Sequence, residues 1–116
     1  MDIKKSAGLI MHPTALPSKY GIGDFGETSR NFIDFLNVSS TNIWQVLPLG
    51  LTSLDEFSPY SSPSSILGNR YLVDIEKLTK YEKIDIVTPQ FSNDFVQYKD
   101  VYKFKDDIFK NVSKNI

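Results

Sequence analysis

The sequence predicts an α/β fold that opens with a strand–helix–strand unit. Residues 6–12 and 42–50 are short, nearly continuous apolar runs that each meet a proline, a pattern typical of strands buried on both faces. Between them, apolar residues at helical spacing form a single stripe of Phe32, Ile33, Phe35 and Leu36. Parallel strands joined by a crossover helix are the simplest arrangement of these segments.

The start of this helix resembles a capping box, because Asp24 stands three residues before Glu27. We expect the Asp24 carboxylate to meet free backbone donors of the first turn, and the helix to cover about residues 27–40. Residues 21–26 also fit the G-x-G-x-x-G spacing of a dinucleotide site. However, a long loop separates them from the strand, and Asp24 would place negative charge where a pyrophosphate belongs. We therefore interpret these glycines as positions at which the loop turns sharply.

The rest of the chain contains shorter elements. Residues 71–75 are expected to be extended and residues 76–83 weakly helical, whereas an apolar residue at every third or fourth position predicts an amphipathic helix over residues 98–114. Long loops, residues 12–25 and 48–69, follow the strands. The crossover places both loops at the carboxyl end of the sheet, where long loops are more often functional than idle.

Composition excludes several classes of function. The formal net charge is −1, and acidic residues are interspersed with the 13 Lys and Arg residues, so we expect no nucleic-acid partner. The absence of cysteine and the single histidine argue against a disulfide framework and a zinc site. The apolar run that ends at His12 is too short for a secretory segment, and no run is long enough to span a membrane. We therefore expect no membrane partner and a cytoplasmic location.

The densest candidate for a binding function is the serine- and proline-rich stretch at residues 58–65. Composition alone favours a flexible linker. The alternative is a rigid loop that presents Tyr60, whose ring could pack on the apolar face of a sugar while its hydroxyl binds the rim. Both interpretations remain open from composition.

Other residues offer weaker signals. His12, at the end of the first strand, is more readily explained as a histidine hydrogen-bonded to backbone than as a ligand, and Trp44 more readily as core than as a binding platform. Glycoside chemistry needs two carboxyl groups about 5 to 9 Å apart. The sequence identifies no such pair, so we assign no catalytic residue.

Several motifs occur in order along nearly the whole chain: Gly8-Leu9-Ile10-Met11-His12-Pro13-Thr14-Ala15-Leu16-Pro17, Tyr20-Gly21-Ile22-Gly23-Asp24-Phe25-Gly26, Trp44-Gln45-Val46-Leu47-Pro48-Leu49-Gly50, Ser58-Pro59-Tyr60 and Gly68-Asn69. Together they resemble the opening of the amylomaltases, or disproportionating enzymes, which are the 4-α-glucanotransferases of glycoside hydrolase family 77.

The resemblance implies a (β/α)8 TIM barrel, of which residues 1–116 would be a partial, N-terminal part: about two strand–helix units and the start of an insertion. It implies retaining transfer of an α-1,4-glucan segment to a new 4-hydroxyl acceptor, with no cofactor and no metal. The family's catalytic carboxylates would lie outside this chain, so the fragment alone is expected to be inactive.

Among the residues that match the family's motifs, the resemblance assigns substrate-binding roles to Tyr60 and Ser58. Tyr60 matches a loop tyrosine that packs against bound glucan near the point of cleavage, and Ser58 matches a nearby contact in the same loop. The partner implied is an α-1,4-glucan or maltooligosaccharide.

Two alternatives remain: a non-catalytic carbohydrate-binding remnant, and a small free-standing α/β domain. Coding sequence that continues in frame past Ile116 would favour the transferase.

Overall fold

The computed structural model describes residues 4–53 and 55–115. Within them the chain forms two strands, three α-helices and two 3-10 turns. In chain order the elements are β1 (Gly8–Ile10), a 3-10 turn (Pro13–Ala15), α1 (Glu27–Val38), β2 (Ile43–Gln45), a second 3-10 turn (Arg70–Leu72), α2 (Ile75–Tyr81) and α3 (Tyr98–Ser113).

The strands pair in parallel, with Leu9 opposite Trp44, as the strand–helix–strand pattern predicts. Backbone bonds continue the ladder by one step at each end, from Asn42 N to Ala7 O and from Met11 N to Gln45 O, each 3.0 Å. Each strand is nevertheless shorter than its apolar run, since β1 and β2 cover three residues each.

The prediction that both strands are buried on both faces is wrong for the described chain. Leu9 is 42% exposed and Ile10 is 68% exposed. Trp44 is better covered, because Phe32 of α1 packs edge-to-face against it with ring centroids 5.0 Å apart. Trp44 and Phe32 are the only aromatic ring pair between the sheet and α1 among the described residues, and Ile33 and Phe35 of α1 remain exposed.

The capping role predicted for Asp24 is also wrong. Gly26, and not Asp24, is the N-cap residue of α1, and the Asp24 Oδ1 atom accepts a hydrogen bond from the Gly26 N–H at 2.8 Å. The Asp24 carbonyl accepts from the Ser29 hydroxyl. Asp24 therefore joins the loop to the start of α1 without capping the helix.

The segment predicted to be extended, residues 71–75, contains most of the second 3-10 turn and the start of α2. The Asn69 side chain accepts from the Tyr71 N–H at 3.0 Å and so initiates the turn. Asp74 then caps α2, because its Oδ1 accepts from the Lys77 N–H at 3.1 Å. The helices predicted over residues 76–83 and 98–114 are confirmed by α2 and α3.

The core lies on α3, away from the sheet. Val101 and Tyr102 of α3 pack with Ile22 and Tyr71, and the Tyr71 and Tyr102 rings stack with centroids 3.6 Å apart. A second cluster is formed by Tyr20, Ile75 and Ile108. The loop after β1, the second 3-10 turn and α2 are thus all held against one helix.

A buried charge joins these segments. The Lys105 side chain is 0% exposed, its Nζ donates to the Tyr71 carbonyl at 2.6 Å, and it lies 3.9 Å from the Asp24 Oδ2. Burial lowers the pKa of Lys105 to about 8, against an opposing effect of the Asp24 charge. Burial likewise raises the pKa of Asp24.

The stability of α3 is expected to increase between about pH 7 and pH 9.5. Lys105 has a pKa of about 8 in the folded chain and an ordinary value of 10.5. The unfolded chain therefore binds more protons in this range, and the free energy of unfolding rises with pH by up to about 2 kcal/mol. Hydrogen-exchange protection of the Tyr102 and Ile108 amides in the complete gene product, corrected for the intrinsic rate, measures the effect.

The control is Lys105→Met, which replaces lysine by an unbranched, apolar side chain and so removes the titrating group. Its α3 protection should not change over the same pH range. A wild-type profile as flat as that of Lys105→Met would contradict the prediction.

The isolated 116-residue polypeptide is expected to associate with itself and to bind a dye that reports exposed apolar surface. The exposed side chains of β1 and the outer face of α1 form an uncovered apolar surface, and the strands have open edges. Light scattering and dye fluorescence measure this. A dispersed monomer that melts cooperatively without binding the dye would instead favour the free-standing α/β domain.

Candidate functional site

The loop that carries the predicted binding residues is closed at its base. Gly50 and Gly68 form an antiparallel bridge. On either side, the Leu51 N–H donates to the Leu67 carbonyl at 3.1 Å and the Asn69 N–H donates to the Leu49 carbonyl at 2.9 Å. The loop therefore leaves the end of β2 and returns to its starting point before the second 3-10 turn begins.

Ser53 organises the interior of this loop. Its Oγ accepts from the N–H groups of Asp55 and Glu56 at 3.1 and 3.3 Å, and its carbonyl accepts from the Phe57 N–H at 3.0 Å. The Ser53 N–H donates across the loop to the Ser61 carbonyl at 3.2 Å. The Ser61 hydroxyl in turn bonds to the Glu56 carboxylate. One serine thus ties both sides of the loop together.

Ser58 and Tyr60 are brought together by a tight turn. The Tyr60 N–H donates to the Ser58 Oγ at 3.2 Å, and the Ser61 N–H donates to the Ser58 carbonyl at 3.1 Å. The Tyr60 side chain is 72% exposed. Ser58 therefore fixes the backbone of Tyr60 and leaves the ring in solvent.

The remaining serines brace the other half of the loop. The Ser62 hydroxyl donates to the Ser64 carbonyl at 2.6 Å, and the Ser64 Oγ accepts from the N–H groups of Ile66 and Leu67, both at 3.2 Å. Such bonds from serine hydroxyls to nearby backbone groups are the chemistry of turns. This geometry favours the rigid loop over the flexible linker that composition favours.

The two other aromatic candidates occupy different environments. Trp44 has a structural role, because its Nε1 donates to the Met11 carbonyl at 2.6 Å and its ring packs on Phe32. His12 is half-buried, and burial lowers its pKa. Its Nδ1 is buried and has no hydrogen-bond partner among the described residues, so the prediction of a backbone-bonded histidine is not supported at that atom.

The glycines of the loop after β1 serve conformation and close packing. Gly21 has a φ of 88°, which side chains rarely adopt, and a Cβ on Gly23 would lie 2.0 Å from the Pro13 carbonyl oxygen. Because the Gly26 N–H is already bonded to Asp24, the first donor that a phosphate would need is occupied. The geometry thus agrees with the turn interpretation and offers nothing for a dinucleotide.

The carboxylates that the structure holds rigidly have structural partners. Asp74 forms an ion pair with Arg30 at 2.9 Å, and Asp106 pairs with Arg70 at 3.2 Å. Asp106 also accepts from the Tyr71 hydroxyl at 3.1 Å, and burial raises the pKa of Tyr71 to about 12, so that this donor stays protonated. No cluster of three or more possible metal ligands occurs within residues 4–53 and 55–115.

A separate cleft of about 480 Å³ lies between the loop after β1 and the segment that precedes α3, and it is lined by residues 14–18, 21–23 and 92–96. Neither Tyr60 nor Ser58 lines it. The helices in the described part of the chain are all too short or too polar to cross a bilayer.

Comparison with known proteins identifies similar sequences over nearly the full chain. A family model described as 4-alpha-glucanotransferase matches residues 11–116. The 4-alpha-glucanotransferase of Thermus thermophilus is 39% identical over 105 residues, which are 90% of this chain and 21% of that protein. The 4-alpha-glucanotransferase of Aquifex aeolicus is 41% identical over 111 residues, which are 94% of this chain and 23% of that protein.

A solved structure is similar over the same extent. The amylomaltase from Streptococcus agalactiae in complex with acarbose superimposes with a TM-score of 0.86 at 33% identity, over 97% of this chain and 23% of that chain. This chain therefore spans about a fifth of the length of the relatives it matches.

Proposed function

Because the chain belongs to the 4-alpha-glucanotransferase family, glycoside hydrolase family 77, we propose that it supplies part of the glucan-binding surface of such an enzyme. The observation that carries the proposal is the rigid loop that presents Tyr60 to solvent. In the same proposal, β1 and β2 are strands of a (β/α)8 barrel, and the loops that follow them lie at the face where barrel enzymes bind substrate. A cytoplasmic location also belongs to the proposal, and a fluorescent fusion would test it.

Tyr60 and Ser58 have complementary roles in this proposal. The exposed ring of Tyr60 packs on the C–H face of a glucose unit, and its hydroxyl can bond to the sugar's edge. The Ser58 Oγ accepts from the Tyr60 N–H, which leaves the hydroxyl proton free to donate to a sugar oxygen. The loop thus offers one apolar face and one polar donor that are fixed relative to each other.

The reaction proposed is retaining transfer of an α-1,4-glucan segment to the 4-hydroxyl of another glucan. A retaining mechanism requires a nucleophilic carboxylate and an acid/base carboxyl about 5 Å apart across the scissile bond. The carboxylates that the described residues hold rigidly are engaged with Arg30, Arg70 and Lys105, so we assign none of them to this chemistry. Residues of this chain bind and orient the sugar.

Tyr60→Ala in the complete gene product is expected to lower kcat/KM for maltotriose disproportionation about tenfold, because an aromatic contact contributes about 1.4 kcal/mol to positioning the sugar. Tyr60→Phe should retain most of the activity. The melting temperature should not change, since the ring is 72% exposed. Glucose release from maltotriose measures the effect.

The matched control is Tyr81→Ala, which removes a tyrosine that is 83% exposed at the end of α2. It should leave kcat/KM unchanged. Equal effects of the two alanine substitutions, or no effect of either, would remove Tyr60 from the binding surface. A wild-type gene product that does not disproportionate maltotriose would overturn the proposed function.

The 116-residue polypeptide alone is expected to release no glucose from maltotriose above the buffer background, because no carboxylate pair is assigned to it. Calorimetric titration with maltoheptaose tests binding in parallel. Binding without turnover is the behaviour of a non-catalytic carbohydrate-binding remnant. Turnover by the isolated polypeptide would refute the prediction.

A further inference from the structure

Phe57 links the loop that carries Tyr60 to the protein core. Its ring stacks on Tyr98, with centroids 4.7 Å apart and planes inclined by 14°. It also packs edge-to-face with Tyr102 of α3, with ring centroids 5.3 Å apart and planes inclined by 78°. Phe57 is therefore clamped between two tyrosines one helical turn apart on α3.

The backbone of Phe57 adopts an unusual conformation. Its φ is 55°, in the left-handed region that large side chains rarely occupy. Such a conformation persists when the surrounding structure over-determines it. Here the ring contacts with α3 hold Phe57 in this conformation, together with the hydrogen bond of 3.0 Å from the Phe57 N–H to the Ser53 carbonyl.

A second contact anchors the start of the loop on the same helix. The Thr52 hydroxyl and the Tyr102 hydroxyl form a buried hydrogen bond of 2.8 Å. Tyr102 is itself stacked on buried Tyr71. The loop is thus fixed to the core at Thr52 and at Phe57, and the tight turn at Ser58 begins directly after Phe57.

We propose that Phe57 is a positioning residue for Tyr60: its clamp on α3 sets the direction in which the Tyr60 ring meets the sugar. This inference rests on the proposed glucan-binding role of Tyr60. Phe57 touches no substrate in this scheme and acts through the turn that Ser58 holds. A substitution at Phe57 should therefore lower kcat/KM by displacing Tyr60, and its effect should not multiply with that of a substitution at Tyr60.

The test is a double-mutant cycle in the complete gene product, with maltotriose as substrate. Phe57→Ala should lower kcat/KM about tenfold, as Tyr60→Ala does. The double variant should fall no more than about twofold below Tyr60→Ala, because the interaction that Phe57 supports is already absent. Multiplied losses, of about a hundredfold, would show independent roles and overturn the inference.

Further variants separate the ring from the backbone. Phe57→Gly relieves the left-handed conformation but removes the ring, so it should be as impaired as Phe57→Ala. Phe57→Tyr should restore activity to within about twofold of wild type, since a cavity of about 450 Å³ borders the ring and can take a hydroxyl. A fully active Phe57→Gly would overturn the inference.

Tyr98→Ala weakens the clamp from the helix side and replaces Phe57→Ala if that variant does not fold. When Tyr98→Ala is combined with Tyr60→Ala, kcat/KM should likewise fall no more than about twofold below that of Tyr60→Ala alone. Phe95→Ala is the matched control, because Phe95 is 67% exposed and belongs to neither hydrophobic cluster of the core. It should leave the kinetics unchanged.

Hydrogen exchange distinguishes a failure of this inference from a failure of the proposed function. In Phe57→Ala the Tyr60 and Ser61 amides should exchange at least tenfold faster, while the β2 amides do not change. If the wild type transfers no glucan, the proposed function is wrong. Hydrogen exchange alone then tests whether Phe57 fixes the backbone at Tyr60. Unchanged exchange at Tyr60 and Ser61 would overturn the clamp whatever the activity.

Discussion

The buried ammonium group of Lys105 is the constraint on which the arrangement of this chain depends. A charge removed from water is costly unless it is bonded and paired, and here the Tyr71 carbonyl and the Asp24 carboxylate fill those roles. These two groups lie far apart in sequence, on the second 3-10 turn and on the loop after β1. Satisfying one amine therefore requires both segments to dock on α3 together. Asp24 extends the constraint to α1, because it also holds the Gly26 N–H.

Aromatic contacts connect the surroundings of Lys105 to the loop that carries Tyr60. The same Tyr71 whose carbonyl binds Lys105 stacks on Tyr102, and Tyr102 contacts both Thr52 and Phe57 of the loop. The loop base is closed independently at Gly50 and Gly68. The exposed ring of Tyr60 thus belongs to a surface loop that is anchored on the core through Thr52 and Phe57. Such anchoring gives a binding residue on a loop a defined position.

The sequence predicts the features that depend on local spacing. The amphipathic helix α3, the parallel pairing of β1 and β2 and the turn roles of the glycines follow from periodicity and loop chemistry. The role of Asp24 does not, because the capping-box spacing is satisfied equally by a residue that faces a distant lysine. A signal for that lysine was present: Lys105 falls within the apolar stripe of α3, between Tyr102 and Ile108, where a solvated charge has no place. Phe57 gives no local signal, since its tyrosine partners lie about 40 residues further along the chain.

The serine-rich loop shows why composition alone misjudges flexibility. A serine hydroxyl that meets only water leaves the backbone free, but one that bonds to a nearby N–H or carbonyl closes a turn, and Ser53, Ser58 and Ser64 do the latter. These turns constrain the chain only because its ends are already fixed at Gly50 and Gly68 and on α3. With the ends fixed, each turn removes freedom before any ligand arrives. Less conformational entropy is then lost when a sugar binds, which is the advantage that a pre-organised aromatic residue has over the same residue on a linker.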